Sequence, residues 1–244
     1  MEYRGASVYD EHDFFSNYMK RRNRLESPNN CIEGPIIQEL IGNIQGHSIL
    51  DLGCGDALFG KELLTLGAKS YTGVEGSKQM VEAARFNLQA LNCGNILFET
   101  MESYNYPEES FDIVTSRFVI HYISDITSLF HNVHKTLKKN GKFVFSIQHP
   151  LTTSSFLSKQ NGDKHGNWIV DDYFLDGERK ESWIGKEVVK YHRTIEQYFT
   201  LLRQAGFSVV ALREGTPKRE YFNSEEEFTR RNRIPIVLVF SCEK

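Results

Sequence analysis

The apolar run Ser48-Ile49-Leu50-Asp51-Leu52 ends in Gly53-Cys54-Gly55, and a second run, Ser70 to Val74, ends in Glu75 about twenty residues beyond that turn. Between them Leu58 to Leu66 has helical spacing and stops at Gly67. Two short apolar runs separated by a helix predict neighbouring parallel strands, because parallel pairing needs a crossover of about that length. The alternation continues. Ser77 is placed to cap a helix whose apolar positions Met80, Val81, Ala84 and Leu88 share one side. Asn95 to Glu99 predicts a third strand, Phe111 to Thr115 a fourth, Ile126 to Lys138 a helix, and Lys142 to Ile147 a fifth strand after Asn140-Gly141. Such a rhythm specifies an α/β architecture, a parallel sheet with helices on both faces.

The flanks are different. His12 to Arg24 carries Phe14, Phe15, Tyr18, Arg21 and Arg22 at helical spacing, and Ile36, Ile37, Leu40 and Ile41 suit a second helix. After Pro150 the rhythm fails: Leu151 to His192 is polar, with aromatics at Phe156, Trp168, Tyr173, Phe174 and Trp183, and is expected to form an inserted cap. Thr194 and Gln197 make a capping box for a helix ending at Gly206. Phe207 to Leu212 and Ile234 to Ser241 complete the strands, with Arg213 to Arg233 between them as a charged linker, expected to be solvated over Lys218 to Arg233. With 244 residues and 40% hydrophobic content, one domain over 1–244 is expected, residues 1–45 forming N-terminal helices or a lid and 151–192 the cap. A net charge of -3 supplies no broad basic surface for nucleic acid. No apolar segment suggests a signal peptide or membrane anchor, so a cytoplasmic protein is expected. Cys31, Cys54, Cys93 and Cys242 are scattered, which suits reduced thiols better than disulfides or a metal site.

A glycine turn at the carboxyl end of a first parallel strand lets backbone amides approach a ligand, and an acid ending the second strand accepts hydrogen bonds from ribose hydroxyls. Gly53, Gly55 and Glu75 therefore indicate a nucleoside-containing cofactor. Dinucleotide sites want a third glycine three residues after the second, and that position is Leu58. A phosphate-free, positively charged cofactor fits better, with Asp51 and Asp56 beside the turn. S-adenosylmethionine has those properties.

Leu50-Asp51-Leu52-Gly53-Cys54-Gly55 with Glu75 resembles the class I S-adenosylmethionine-dependent methyltransferases. Tyr104 to Val114, Ser116 to Asp125 and Leu137 to Lys142 are similar to the stretches by which that family enters and leaves its fourth strand and turns into its fifth. The resemblance implies a Rossmann-like, seven-stranded, mostly parallel sheet. It implies that Asp51 and the backbone around Gly53, Cys54 and Gly55 hold the methionine moiety, that Glu75 and Gly76 meet the ribose, that Met101 and Glu102 flank the adenine, and that Arg117 and Phe118 line the reactive end. Tyr18 and Arg21 are further candidates on the N-terminal helix, with Arg21 or Arg22 meeting the cofactor carboxylate. Phe14, Phe15 and Tyr18 suit either a packed amphipathic helix or a lid. Two positions depart from the family pattern: Ala57 where many members have glycine, and Thr100 where many have aspartate.

A methyltransferase must hold a nucleophile, exclude water and often remove a proton, for which histidine is suited. His121 after the fourth strand and His149 after the fifth are the candidates, since ligands bind at strand ends; His165 and His192 bound much of the cap. Ser146 to Pro150 and Tyr191 to Thr194 resemble a bacterial subgroup of small-molecule methyltransferases. Tyr173, Trp183, His192 and Arg193 are the candidate substrate contacts. The expected activity is methyl transfer to an oxygen or nitrogen of a small metabolite by a monomer or homodimer. Alternatives are a non-catalytic S-adenosylmethionine-binding regulator and an RNA or protein methyltransferase, the latter lacking an Asn/Asp-Pro-Pro-Tyr motif after the fourth strand.

Overall fold

A computed structural model describes residues 2–157 and 168–244. In chain order its elements are β1 (Glu2–Tyr3), α1 (His12–Arg22), α2 (Gly34–Ile41), β2 (Ser48–Leu52), α3 (Leu58–Thr65), β3 (Ser70–Glu75), α4 (Lys78–Leu88), β4 (Gly94–Phe98) and β5 (Phe111–Arg117). They continue with α5 (Ile126–Thr136), β6 (Leu137–Gln148), α6 (Pro150–Thr153), β7 (Gly177–Trp183), β8 (Lys186–His192), α7 (Ile195–Gln204), β9 (Ser208–Glu214), α8 (Glu225–Arg231) and β10 (Val237–Glu243).

Seven strands form one sheet in the order β4-β3-β2-β5-β6-β10-β9. Only β10 runs antiparallel to its neighbours, so the sheet is mostly parallel and Rossmann-like. Central strands are covered on both faces, which is why Ile49, Leu50 and Leu52 are all fully buried and the run is continuously apolar. One face packs on α5 and α7 through Phe130, Val133, Tyr198 and Leu202, and the other on α2, α3 and α4 through Ile37, Leu63, Val81 and Ala84. Strand order reverses between β2 and β5. At such a switch point the loops diverge to opposite faces and open a crevice at the carboxyl ends of the strands.

Two expectations are corrected. The segment Arg213 to Arg233 is not a bare linker: it contains α8, capped by Ser224, whose hydroxyl accepts from Glu227 N. Glu225 to Glu227 in its first turn and Arg230 and Arg231 in its last complement the helix dipole, so a charge run that looks solvated is also a helix signal. Phe222 is buried and packs on Phe228, tying this segment to the body. The described part of the cap is an antiparallel β7–β8 hairpin, and β1 adds to it in parallel, pairing Glu2 with Glu187 and Tyr3 with Val188. Ile184 (φ 49°) and Gly185 (φ 74°) form its two-residue turn, with left-handed backbone at both positions. An isoleucine there gives no turn signal. His165 lies outside the described residues. Among those described, no helix is long and apolar enough to cross a membrane.

Candidate active site

The crevice beside β2 is built from its own sequence outward. Asp51 is buried in β2, accepting from Tyr71 Oη at 2.7 Å and Thr115 Oγ1 at 2.9 Å. Burial raises its pKa, and these two hydroxyls oppose the rise. The chain then turns sharply: Gly53 N and Cys54 N both donate to Val74 O, at 2.8 and 3.2 Å. Gly53 (φ 72°) is required twice over, since a Cβ there would lie 2.6 Å from a Val119 methyl. Gly55 (φ 57°) has nothing within 4 Å of its Cβ position, leaving a backbone cradle open on that side. Cys54 lines the same recess while its Sγ turns inward against Gly73.

Glu75, at the end of β3, closes the turn from the other side. Its Oε2 accepts from Gly55 N at 2.9 Å and its Oε1 from Ser77 N at 2.8 Å. Burial raises its pKa, against the donors Ser77, Gly55 and Gly76. These bonds fix the carboxylate at the wall of a cavity of about 480 Å³, which Gly53, Gly55, Gly76, Met101, Glu102, Arg117 and Phe118 also line. A smaller recess of about 60 Å³ adjoins it, bordered by Asp51, Gly53, Cys54, Gly55, Tyr18, Arg22 and Arg117. Of the two arginines considered on α1, Arg22 borders this recess; Arg21 lines a different cavity. Residues 4–7 and Asp10 wall the large cavity as well, and Asp10 accepts from Ser77 Oγ at 2.7 Å.

The cavity walls suit S-adenosylmethionine. The glycine cradle is open, Glu75 keeps lone pairs toward the cavity beyond its two backbone bonds, and Asp10, Glu99 and Glu102 add negative charge suited to a cationic ligand. Arg117 is not a free cation: Glu33, fully buried, grips its guanidinium through Nε at 3.0 and 3.1 Å and through Nη2, and Phe59 lies under it at 4.4 Å. Glu33 was not legible as a site residue, sitting in the polar run Asn29-Asn30-Cys31-Ile32-Glu33 with no motif around it.

A second cavity, of about 330 Å³, shares Tyr9, Tyr18, Phe118 and Tyr122 with the first. Phe118 holds a left-handed backbone (φ 56°), fixed by its N–H donating to Ser146 O and Oγ at 3.0 and 2.9 Å. A bulky residue held in that conformation is strained, and such strain concentrates at functional sites. Trp183 lines this cavity and meets Tyr9, Phe14 and Tyr18 edge-on, at centroid distances of 6.3, 5.3 and 5.8 Å. Glu181 and Gln148 line it too, and both bond Lys190 Nζ, which is buried beneath Trp183 and Tyr122. Burial lowers the pKa of that ammonium, and contact with the Glu181 carboxylate opposes the fall.

The two candidate bases sit differently. His121 lines the second cavity; its Nδ1 accepts from Gln148 N at 3.4 Å, which leaves the ring proton on Nε2. Burial, then the charges of Lys190 and Arg193, hold its pKa well below 6.5, so it stays neutral and presents an N–H. His149 lines none of these cavities. Its Nδ1 caps α6 by accepting from Leu151 N at 3.2 Å, and its Nε2 donates to Glu214 at 3.0 Å. Among the candidate substrate contacts only Trp183 reaches the cavity. His192 is locked between Thr153 Oγ1 at 2.8 Å and the Tyr173 carbonyl at 2.9 Å, and Arg193 donates to the Ile123 carbonyl at 2.9 Å. These bonds brace the cap against the sheet.

A family profile described as a methyltransferase domain matches residues 50–145, the span from β2 into β6. An uncharacterized protein of Haemophilus influenzae is 32% identical over 219 residues, covering 85% of each chain. A malonyl-[acyl-carrier protein] O-methyltransferase of Legionella pneumophila is 28% identical over 188 residues, 73% of this chain and 64% of that one. The crystal structure of an S-adenosylmethionine-dependent methyltransferase from Mesorhizobium loti superimposes with a TM-score of 0.79 at 28% identity, over 92% of this chain and all of that one. Sheet order, glycine turn and these similarities agree: the chain belongs to the class I S-adenosylmethionine-dependent methyltransferases.

Proposed function

We propose that the protein methylates an oxygen or nitrogen of a small molecule held in the second cavity. The observation that carries this is the shared wall of Tyr9, Tyr18, Phe118 and Tyr122, which joins the cofactor cavity to an adjoining chamber roofed by the cap. S-adenosylmethionine, when bound, supplies an electrophilic methyl group. Glu75 and the Gly53–Gly55 backbone hold its nucleoside and methionine parts, and Asp51 acts through Tyr71 and Thr115 to fix that turn. The aromatic wall excludes water and orients the acceptor atom. His121 orients the acceptor oxygen with a hydrogen bond from its Nε2–H, while Glu181, its charge supported by Lys190, takes the proton the acceptor releases. The Legionella relative is an O-methyltransferase, which favours oxygen.

The experiment is calorimetric titration of S-adenosylmethionine and S-adenosylhomocysteine into the protein and its Glu75→Ala variant. The variant loses the carboxylate that accepts from the two ribose hydroxyls, each such charged hydrogen bond worth about 1.5–3 kcal/mol, so affinity is expected to fall at least a hundredfold. A metabolite screen read by S-adenosylhomocysteine formation then identifies the acceptor. A folded wild type that binds neither compound would end the reading.

A further inference from the structure

Five arginines border the second cavity: Arg21 and Arg22 from the last turn of α1, Arg24 just beyond it, and Arg230 and Arg231 from the last turn of α8. Glu181 is the sole carboxylate among its described lining residues, and Lys190 holds that one. For Arg22, Arg24, Arg230 and Arg231 the partners leave positive charge uncompensated. Glu227 alone serves both Arg230 and Arg231, accepting from their Nε atoms at 3.0 and 2.9 Å. Arg22 donates to the neutral Asn30 amide at 2.8 Å, and Arg24 Nε to a backbone carbonyl at 3.4 Å. Burial, then the neighbouring Arg230 charge, lowers the pKa of Arg231. Helix dipoles account for cations at helix ends. They do not account for two such ends facing one concavity in a chain whose net charge is -3.

We propose that the methyl acceptor carries a carboxylate or phosphate group and that Arg22, Arg24, Arg230 and Arg231 bind it. The inference rests on the second cavity being the acceptor site. Guanidinium groups keep their charge at any physiological pH and bind such oxyanions in a two-pronged geometry. Tyr18, on the wall shared with the cofactor cavity, and Arg22 stand four residues apart on α1, about 6 Å along its axis. A small molecule therefore spans from the anion site to the methyl-donating wall.

The test titrates malonate, inorganic phosphate and the neutral malonamide into the protein saturated with S-adenosylhomocysteine, at low ionic strength, beside an Arg24→Gln/Arg230→Gln variant. Malonate or phosphate is expected to bind and malonamide not. Binding should weaken at least tenfold in the variant and fall as salt is added, with S-adenosylhomocysteine affinity unchanged. Tighter malonate binding assigns a carboxylate acceptor, tighter phosphate binding a phosphate ester. Equal behaviour of anions and malonamide, or anion affinity unaltered in the variant, overturns the proposal. Failure of S-adenosylhomocysteine to bind the wild type is a separate result, and would remove the cofactor reading instead.

Discussion

Replacing Glu33 by alanine strips the Arg117 guanidinium of its only ion-pair partner among the described residues, in a setting where the Glu33 and Arg117 side chains are 0% and 14% exposed. Removing one member of a buried pair leaves the other uncompensated, at a cost of about 3–5 kcal/mol. Ser146 Oγ also loses its acceptor, Glu33 Oε1 at 2.7 Å, which adds about 1 kcal/mol. For a chain of this length that corresponds to a fall in melting temperature of roughly 8–24 °C. Replacing both residues by methionine removes the charge problem along with the pair, so the double variant should cost less than the sum of the two single ones. Urea unfolding of the four proteins measures this cycle. Calorimetry with S-adenosylhomocysteine should show Glu33→Ala binding at least tenfold more weakly, because Arg117 lines both parts of the cofactor cavity. A stability loss below about 1 kcal/mol, the worth of an exposed pair, or single losses that simply add, would refute the reasoning.

Further outcomes follow from the same packing. Unfolding lets His121 take up a proton near pH 6.5 that the folded chain refuses, so its contribution is whole above that range and is lost as pH falls through it. His121→Asn should therefore flatten the decline in urea midpoint between about pH 7.5 and 5.5, and parallel slopes for variant and wild type would contradict it. Gly60→Ala should destabilise by about 1–3 kcal/mol although alanine is the better helix former, because its Cβ would sit 2.2 Å from Tyr71 Cζ. A neutral or stabilising result would show that α3 shifts freely on β3. Tyr71→Phe removes a donor from buried Asp51 and should cost about 1–3 kcal/mol in denaturant titration; an unchanged midpoint would mean that the turn does not depend on it.

The strands and helices from Ser48 to Ile147 were legible because each carries its own periodicity, and the meeting of Gly53, Gly55 and Glu75 at one cavity wall because a glycine turn and an acid that end neighbouring parallel strands lie side by side. Boundaries differ by a few residues, as with the helix after Asp125, which ends at Thr136 rather than Lys138. The second cavity was not legible, because its walls come from α1, the cap and α8, which meet only in the folded chain. His149 shows why strand-end position alone misleads: the residue lies where a base is expected, yet both nitrogens serve local structure. Glu181 ends the charged run Glu178-Arg179-Lys180-Glu181 and Lys190 follows Lys186-Glu187-Val188-Val189, and nothing in either pattern separates an inward-facing charge from a solvated one.

The pairing of β1 with β8 also has a consequence for the order in which the protein takes shape during synthesis. Arg4, which walls the cofactor cavity, bonds Tyr191 at 3.1 Å across 187 residues of sequence. The glycine turn and Glu75 leave the ribosome early and Ser77 ties Asp10 down with them, but the Arg4 end of the wall formed by residues 4–10 is held in place only after residues 187–191 emerge. Contacts of such separation close late, since the entropy of the intervening loop must be overcome first. A growing chain therefore holds the sheet's cofactor-binding edge before it holds a closed cavity, and the cofactor becomes a full partner in stability only as synthesis nears its end.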